Sequence, residues 1–247
     1  MKKDILVLRE ADIFSATLIE NNFPVINFPL TKTKMIEDLR EFEARLEALK
    51  NYDGIFLTSR RAAQSLADKM REKHLNFAGK VYILGAKSFE ILRMEKLDLV
   101  YFEAANTARE MLEQIPLADL KGKNFLFVRG EKSLRIVPDY VGKFSSIDEA
   151  VVYRTEEIPA GSDKITSIRE KLEKGEIAAA CFFSPSAAES FIKQFGTEIL
   201  HQTVIATIGT TTAEYFETRN LTVDFVSPKA SAEDFAIELI DYLREEN

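Results

Sequence analysis

The chain has one cysteine, two histidines and no tryptophan among its 247 residues. One cysteine permits no internal disulfide, which fits a reducing, cytoplasmic setting. Cys181 lies inside the apolar run Ala178-Ala-Ala-Cys-Phe-Phe183, the setting of a core filler rather than a nucleophile. His74 and His201 are far apart, with no cysteine at ligand spacing, so no metal site is expected. No apolar run approaches the ~20 residues needed to span a bilayer, so no membrane partner is expected. The run Ile5–Leu8 behind Met1-Lys-Lys-Asp4 is too short for the core of a signal peptide and has no small-residue cleavage site.

Familiar catalytic motifs are missing as well. There is no Gly-x-Gly-x-x-Gly after a strand, no Walker-type loop, no His-Glu-x-x-His and no Gly-x-Ser-x-Gly. A phosphoryl-accepting module would need acidic residues clustered at a strand end, and Asp53 precedes its strand instead. The net charge of −7 argues against a nucleic-acid partner, whose phosphates need clustered Lys and Arg. It leaves room for an anionic small molecule, because helix starts and a few local cations can hold carboxylates.

What is present is a near repeat. Phe56-Leu-Thr-Ser-Arg-Arg-Ala-Ala63 matches Cys181-Phe-Phe-Ser-Pro-Ser-Ala-Ala188 at an offset of 125. Val81-Tyr-Ile-Leu-Gly85 matches Ile205-Ala-Thr-Ile-Gly209, and Thr107-Ala-Arg-Glu110 matches Ser231-Ala-Glu-Asp234, both at 124. Two copies of this length predict two similar lobes with a ligand cleft.

Short apolar runs alternate with amphipathic stretches. Strands are expected at Ile5–Leu8, Gly54–Leu57, Val81–Leu84, Leu99–Phe102, Phe125–Val128, Ala178–Phe183, Val204–Ile208 and Val223–Val226. Their continuous apolarity suits parallel strands covered on both faces. Helices are expected at Lys34–Leu49, where Met35, Leu39, Phe42, Leu46 and Leu49 form one stripe, and at Ser231–Leu243. The alternation indicates an α/β fold.

Phe23–Leu30 and Ile147–Thr155 break the pattern as extended segments bracketed by Pro24, Pro29 and Pro159. They read as paired connectors, about 23–30 and 147–156, with Phe28 and Val152 adjacent. A discontinuous domain, 1–28 plus 157–247, would then enclose an inserted domain, 31–146. Val7-Leu8-Arg9-Glu10 and Phe127-Val-Arg-Gly-Glu131 look like counterpart central strands.

The candidate site consists of small and hydroxyl residues after strands: Thr58-Ser59, Gly85, Ser184 with Ser186, and Gly209-Thr-Thr-Thr212, which includes Thr211. Glycine lets a ligand approach the backbone, and helix-start amides with hydroxyls can grip carboxylates. Capping alone explains the same residues, with Ser184-Pro185 and Thr107-x-x-Glu110 as helix-start signals. Arg9 and Arg129 end apolar strands and could pair with carboxylates. Tyr153, in the second connector, is a packing residue or a proton donor.

These residues carry a resemblance. Leu57-Thr-Ser-Arg-Arg-Ala62, Phe127-Val-Arg-Gly-Glu131, Val151-Val-Tyr-Arg-Thr155, Phe183-Ser-Pro-Ser-Ala187 and Ile208-Gly-Thr-Thr-Thr-Ala213 occur in the order and spacing of the uroporphyrinogen-III synthase family. Arg60 stands where that family often has proline, as does Glu10, and Gly85-Ala-Lys-Ser88-Phe89 departs from Gly-x-x-Thr-Ala. The resemblance implies two three-layer, flavodoxin-like parallel-sheet domains joined by a two-stranded β-ladder. It implies a monomeric, cytoplasmic lyase of heme biosynthesis that cyclises hydroxymethylbilane with inversion of the last pyrrole ring and loss of water. No cofactor is implied, and transient contact with the preceding enzyme of the pathway is conceivable. Tyr153 would assist departure of the hydroxyl group, and Ser59, Ser184, Gly209 and Thr212 would line the cleft. The competing reading is a non-catalytic two-lobed sensor, since fold alone does not give function.

Overall fold

The computed structural model describes residues 2–159 and 161–245. In chain order the elements are β1 (Asp4–Val7), α1 (Ile13–Glu20), β2 (Val25–Asn27), β3 (Thr31–Met35), α2 (Arg40–Glu47), β4 (Gly54–Leu57) and α3 (Arg60–Glu72). Next come β5 (Lys80–Ile83), α4 (Ala86–Leu92), β6 (Asp98–Tyr101), α5 (Ala108–Glu113), α6 (Leu117–Leu120), β7 (Asn124–Gly130) and α7 (Ile136–Val141). The chain finishes with β8 (Ser146–Glu157), α8 (Ser162–Glu173), β9 (Ile177–Phe182), α9 (Pro185–Phe195), β10 (Val204–Thr207), α10 (Thr210–Glu217), β11 (Phe225–Val226) and α11 (Ala232–Glu245). It divides between residues 32 and 33, and again between 155 and 156, into two compact units.

The first unit, built from both chain ends, holds a sheet of order β11-β10-β9-β1-β2, with every pair parallel. Alternate residues of these apolar strands enter opposite layers. Leu6, Ala180, Phe182 and Ile205 pack with α8, α9 and α10. Ile5, Val7, Ala179, Cys181 and Ala206 pack with α1 and α11. A strand covered on both faces has no position for a polar side chain, which is why these runs are continuously apolar.

The second unit, residues 33–155, carries the order β3-β8-β7-β4-β5-β6. Its strands from β8 to β6 pair in parallel. Ile55, Leu57, Leu126 and Val128 face α2 and α3, while Phe56, Tyr82, Phe125 and Phe127 face α5, α6 and α7. The order β8-β7-β4-β5-β6 corresponds to β2-β1-β9-β10-β11, with β7 in the place of β1 and β4 in the place of β9. The repeat seen in the sequence is therefore one topology written twice. In the second copy, the strand equivalent to β1 comes late in the chain.

Two expectations are corrected. Residues 34–49 do not form one helix: Thr31–Met35 is a strand and the helix runs over Arg40–Glu47. The β-branched Thr31 and Thr33 alternate with Lys32 and Lys34, a period-two pattern that suits a strand. The Ile36 N–H then donates to the Val152 carbonyl within the second unit. The segment at 23–30 is likewise captured by the first sheet, where Val25–Asn27 pairs with β1. The Phe28 N–H donates to the Val7 carbonyl, so the segment extends the edge of the first sheet through Phe28. Pro24 and Pro29 confine this strand to the sheet edge, where missing N–H donors cost least.

Candidate active site

In parallel sheets, ligands bind beyond the carboxyl ends of the strands, where neighbouring connections diverge. In the first unit that point lies between β1 and β9. The register pairs Val7 with Cys181 and Phe182 with Thr207. Two residues further on, Arg9, Ser184 and Gly209 therefore emerge at one edge. Ser184 is extended and accepts a hydrogen bond from the Ala187 N–H at 3.2 Å, capping α9 with Pro185 in its first turn. The Ser186 hydroxyl lies 3.1 Å from that of Ser184. The Arg9 guanidinium stacks on Phe183 at 4.4 Å and pairs with Asp12 at 2.9 Å, yet its side chain stays 37% exposed.

Gly209 starts α10 in extended backbone, φ 175°. Thr211 is half-buried, whereas the Thr212 side chain is 3% exposed and its N–H donates to the Gly209 carbonyl. The third position of this helix points inward, so its hydroxyl does not reach the surface. The amides of Thr210 and Thr211 begin the helix, where no preceding turn supplies a carbonyl.

The second unit repeats the arrangement between β7 and β4. Leu57 pairs with Val128 and with Ile83, which brings Ser59, Gly130 and Gly85 out at one edge. Ser59 caps α3 by accepting from the Ala62 N–H at 3.2 Å. Gly85 holds φ 85°, a left-handed conformation that glycine adopts without strain, as it opens α4. Tyr153, on β8, pairs with Gly130 across a register shift, and its half-buried ring lies against that glycine. Arg129 is largely committed: Nη1 donates to the carbonyls of Gly130 and Glu131, both at 2.8 Å, and the guanidinium ion-pairs with Glu149.

Each edge thus presents amides, hydroxyls and a little positive charge, the chemistry of a carboxylate grip. Three features were not anticipated. Arg60 and Arg61 stand exposed in the first turn of α3, beside Ser59, where the helix dipole disfavours a cation unless an anion joins it. Their position after a capping serine was the available signal. Gly130 had no signal, because its importance depends on a cross-strand neighbour. A hollow of about 450 Å³ lies at the opposite, amino end of β10, lined in part by Glu198 and Asp224. Those acids would repel a carboxylate, which keeps the candidate site at the carboxyl edges.

Among the described residues no group of three His, Cys, Asp or Glu side chains could hold a metal ion. Burial pushes the Cys181 thiol up, so it stays protonated in the core. No helix among the described residues is long and apolar enough to cross a membrane.

The family model described as uroporphyrinogen-III synthase HemD matches residues 12–236. A uroporphyrinogen-III synthase of Chlorobaculum parvum is 28% identical over 204 residues, covering 79% of this chain and 82% of that protein. One of Saccharomyces cerevisiae is 26% identical over 243 residues, covering 88% and 87%. Among solved structures, a mutant uroporphyrinogen III synthase of Thermus thermophilus gives a TM-score of 0.71 at 15% identity, over 98% of this chain and all of that one. A uroporphyrinogen-III synthetase of Helicobacter pylori gives 0.61 at 17%, over 99% and 100%. At these identities the structural likeness speaks for the fold.

Proposed function

The chain belongs to the uroporphyrinogen-III synthase family, and on that premise we propose how its residues carry the family's reaction. The reaction cyclises hydroxymethylbilane, a linear tetrapyrrole of heme biosynthesis, with inversion of the last pyrrole ring and loss of water. The chain is a cyclising lyase. The observation that carries this reading is the family match across nearly the whole length. Tyr153 beside the carboxyl edge of the second sheet supports its chemical part.

Hydroxymethylbilane loses its hydroxyl readily and closes unaided without inversion. The protein's task is therefore to hold the flexible chain so that inverted closure wins. The helix starts at Ser59, Gly85, Ser184 and Gly209 grip substrate carboxylates through amides and hydroxyls, with Ser186, Thr211 and Arg9 beside them. Thr212 contributes by shaping the start of α10 from beneath. The Tyr153 phenol donates a proton to the departing hydroxyl, which leaves as water. The cation left behind closes through a spiro-type intermediate that inverts the last ring, and the proton lost as that pyrrole regains aromaticity restores the phenol. No metal or organic cofactor enters this scheme. The reading includes two domains joined by the strands β3 and β8 as a ladder. Support for the ladder comes from the Ile158 N–H, which donates to Leu30, and the Ile36 N–H, which donates to Val152. The reading further includes a cytoplasmic monomer that takes its reactive substrate from the preceding enzyme.

The test is the isomer formed from hydroxymethylbilane with and without the protein. The inverted isomer should dominate with it, and an unchanged, uninverted product would favour the sensor reading. Tyr153→Phe keeps the ring and removes the proton. General acid assistance is typically worth about 10²–10⁴-fold, and a good leaving group puts the expected loss near the low end. Thermal unfolding should be unchanged. Wild-type turnover in Tyr153→Phe would reduce the tyrosine to a packing residue.

A further inference from the structure

Gly130 closes β7 at the carboxyl edge, and it is buried. It is absent from the positive-φ glycines, so its backbone conformation is open to any residue. The need for glycine comes from space. A Cβ placed there would lie 2.4 Å from Cε2 and Cζ of Tyr153 and 2.8 Å from its hydroxyl oxygen. Real carbon contacts do not come this close. Those three atoms are its nearest neighbours, and all belong to the movable tip of one side chain. An alanine would therefore displace the phenol before it disturbed the sheet.

The turn that carries Gly130 is braced. The register shifts between Arg129 and Gly130, breaking the regular ladder. Arg129 compensates by donating to the Gly130 and Glu131 carbonyls, and Glu149 holds the guanidinium from the neighbouring strand. Glu149 also reaches Arg135 at 3.3 Å. The Glu131 N–H donates to the Tyr153 carbonyl at 2.9 Å, and the Ser133 N–H to the Gly130 carbonyl at 3.2 Å. With Nη1 occupied by its own turn and Glu149 beside the guanidinium, Arg129 is poorly placed to take a substrate carboxylate.

We propose that Gly130 is a positioning residue for the reaction: its bare Cα is the seat that fixes the Tyr153 phenol, and the Arg129–Glu149 pair holds that seat in shape. The proposal rests on the reading of Tyr153 as proton donor.

The experiment measures kcat and KM for Gly130→Ala and Arg129→Lys, each alone and combined with Tyr153→Phe, with thermal unfolding alongside. A displacement of about 1 Å at a reacting group can cost up to about 10²-fold. Gly130→Ala should lose about 10- to 100-fold in kcat with KM nearly unchanged. Arg129→Lys can keep a donor for the carbonyls but loses the guanidinium fork that also faces Glu149, and should show a smaller loss of the same kind. On the Tyr153→Phe background neither should cost anything further, because the group they position is already gone. Wild-type kcat in Gly130→Ala overturns the proposal, as do losses that multiply in the double variants. An effect of Arg129→Lys confined to KM returns Arg129 to substrate binding and overturns the brace. If Gly130→Ala proves unfolded, the Arg129→Lys pair of measurements decides.

Should Tyr153→Phe itself turn over normally, the proton-donor reading fails, and the seat is then tested without activity. The protein labelled with 3-fluorotyrosine gives a fluorine resonance for Tyr153, identified by its loss in Tyr153→Phe. A shifted resonance in Gly130→Ala upholds the seat, and an unmoved one overturns it.

Discussion

Ser184 can be made to separate capping from binding. In Ser184→Ala the Ala187 N–H loses its acceptor, which lies at 3.2 Å. Loss of an N-cap costs about 1 kcal/mol, or about 2–4 °C in Tm for a chain of this size. If the serine only caps, activity well below Tm stays unchanged. Ser184→Asp sharpens the contrast. The backbone at Ser184 is extended, φ −164°, as an N-cap requires, so aspartate caps the same amide and gains from the helix dipole. Stability should stay at or above wild type. A carboxylate of the substrate bound at this helix start would now meet a second negative charge. At about 4 Å that repulsion is worth about 1 kcal/mol in a water-like medium and about 4 kcal/mol near a protein surface. The lower figure alone raises KM about fivefold. The assay is initial rate against hydroxymethylbilane concentration, with isomers separated by chromatography and urea unfolding in parallel. Ser184→Asp with full stability and wild-type KM would refute a carboxylate seat at α9.

Two further predictions concern groups away from the edges. The Tyr52 phenol is pushed up to about 12 by burial and by donation to Asp148 at 2.6 Å. Unfolded tyrosine ionises near pH 10, so Tyr52 stabilises the fold fully below pH ~10 and loses that contribution as pH rises toward 12. In urea unfolding, wild type should exceed Tyr52→Phe by more near pH 9 than near pH 11; an equal gap at both would contradict the bond. Cys181 is fully buried, and burial pushes its thiol up. An aromatic disulfide reagent near pH 8 should leave it unmodified in the native protein and titrate one thiol in denaturant; rapid native labelling would contradict its core placement.

The strands were legible because burial on both faces leaves no alternation to misread, and β4 falls on the expected Gly54–Leu57. The helix stripe at 34–49 misled for a related reason. Met35, Leu39, Phe42 and Leu46 fit a helical spacing by coincidence, yet Met35 is 40% exposed on a strand and only Phe42 and Leu46 are fully buried in α2. Ser59 and Ser184 were readable because a cap is a local signal, set by residues three apart. Thr212 misled because helix phase, invisible in Gly-Thr-Thr-Thr, turns the third hydroxyl inward. The contact of Gly130 with Tyr153 depends on a register shift between β7 and β8, and no local pattern encodes cross-strand register.

The acidic net charge and an anionic substrate are reconciled by where the acids sit. Asp53 accepts from the Asn124 N–H at 2.8 Å and Asp224 from the Ile205 N–H at 2.7 Å, both at strand amino ends. Asp4, at the start of β1, is paired with Lys171, and Asp148, near the start of β8, with Arg45. These carboxylates hold strand beginnings together at the end of each sheet away from the candidate site. By contrast, α3, α4, α9 and α10, which follow β4, β5, β9 and β10, have no acidic residue in their first turns. Acidic first turns stabilise helices through the dipole, so their absence from all four gives up a routine gain. It leaves the amides there uncompensated and open to an external carboxylate. The potential a ligand meets is local, and at these four helix starts no first-turn carboxylate opposes an anion, whatever the net charge of −7.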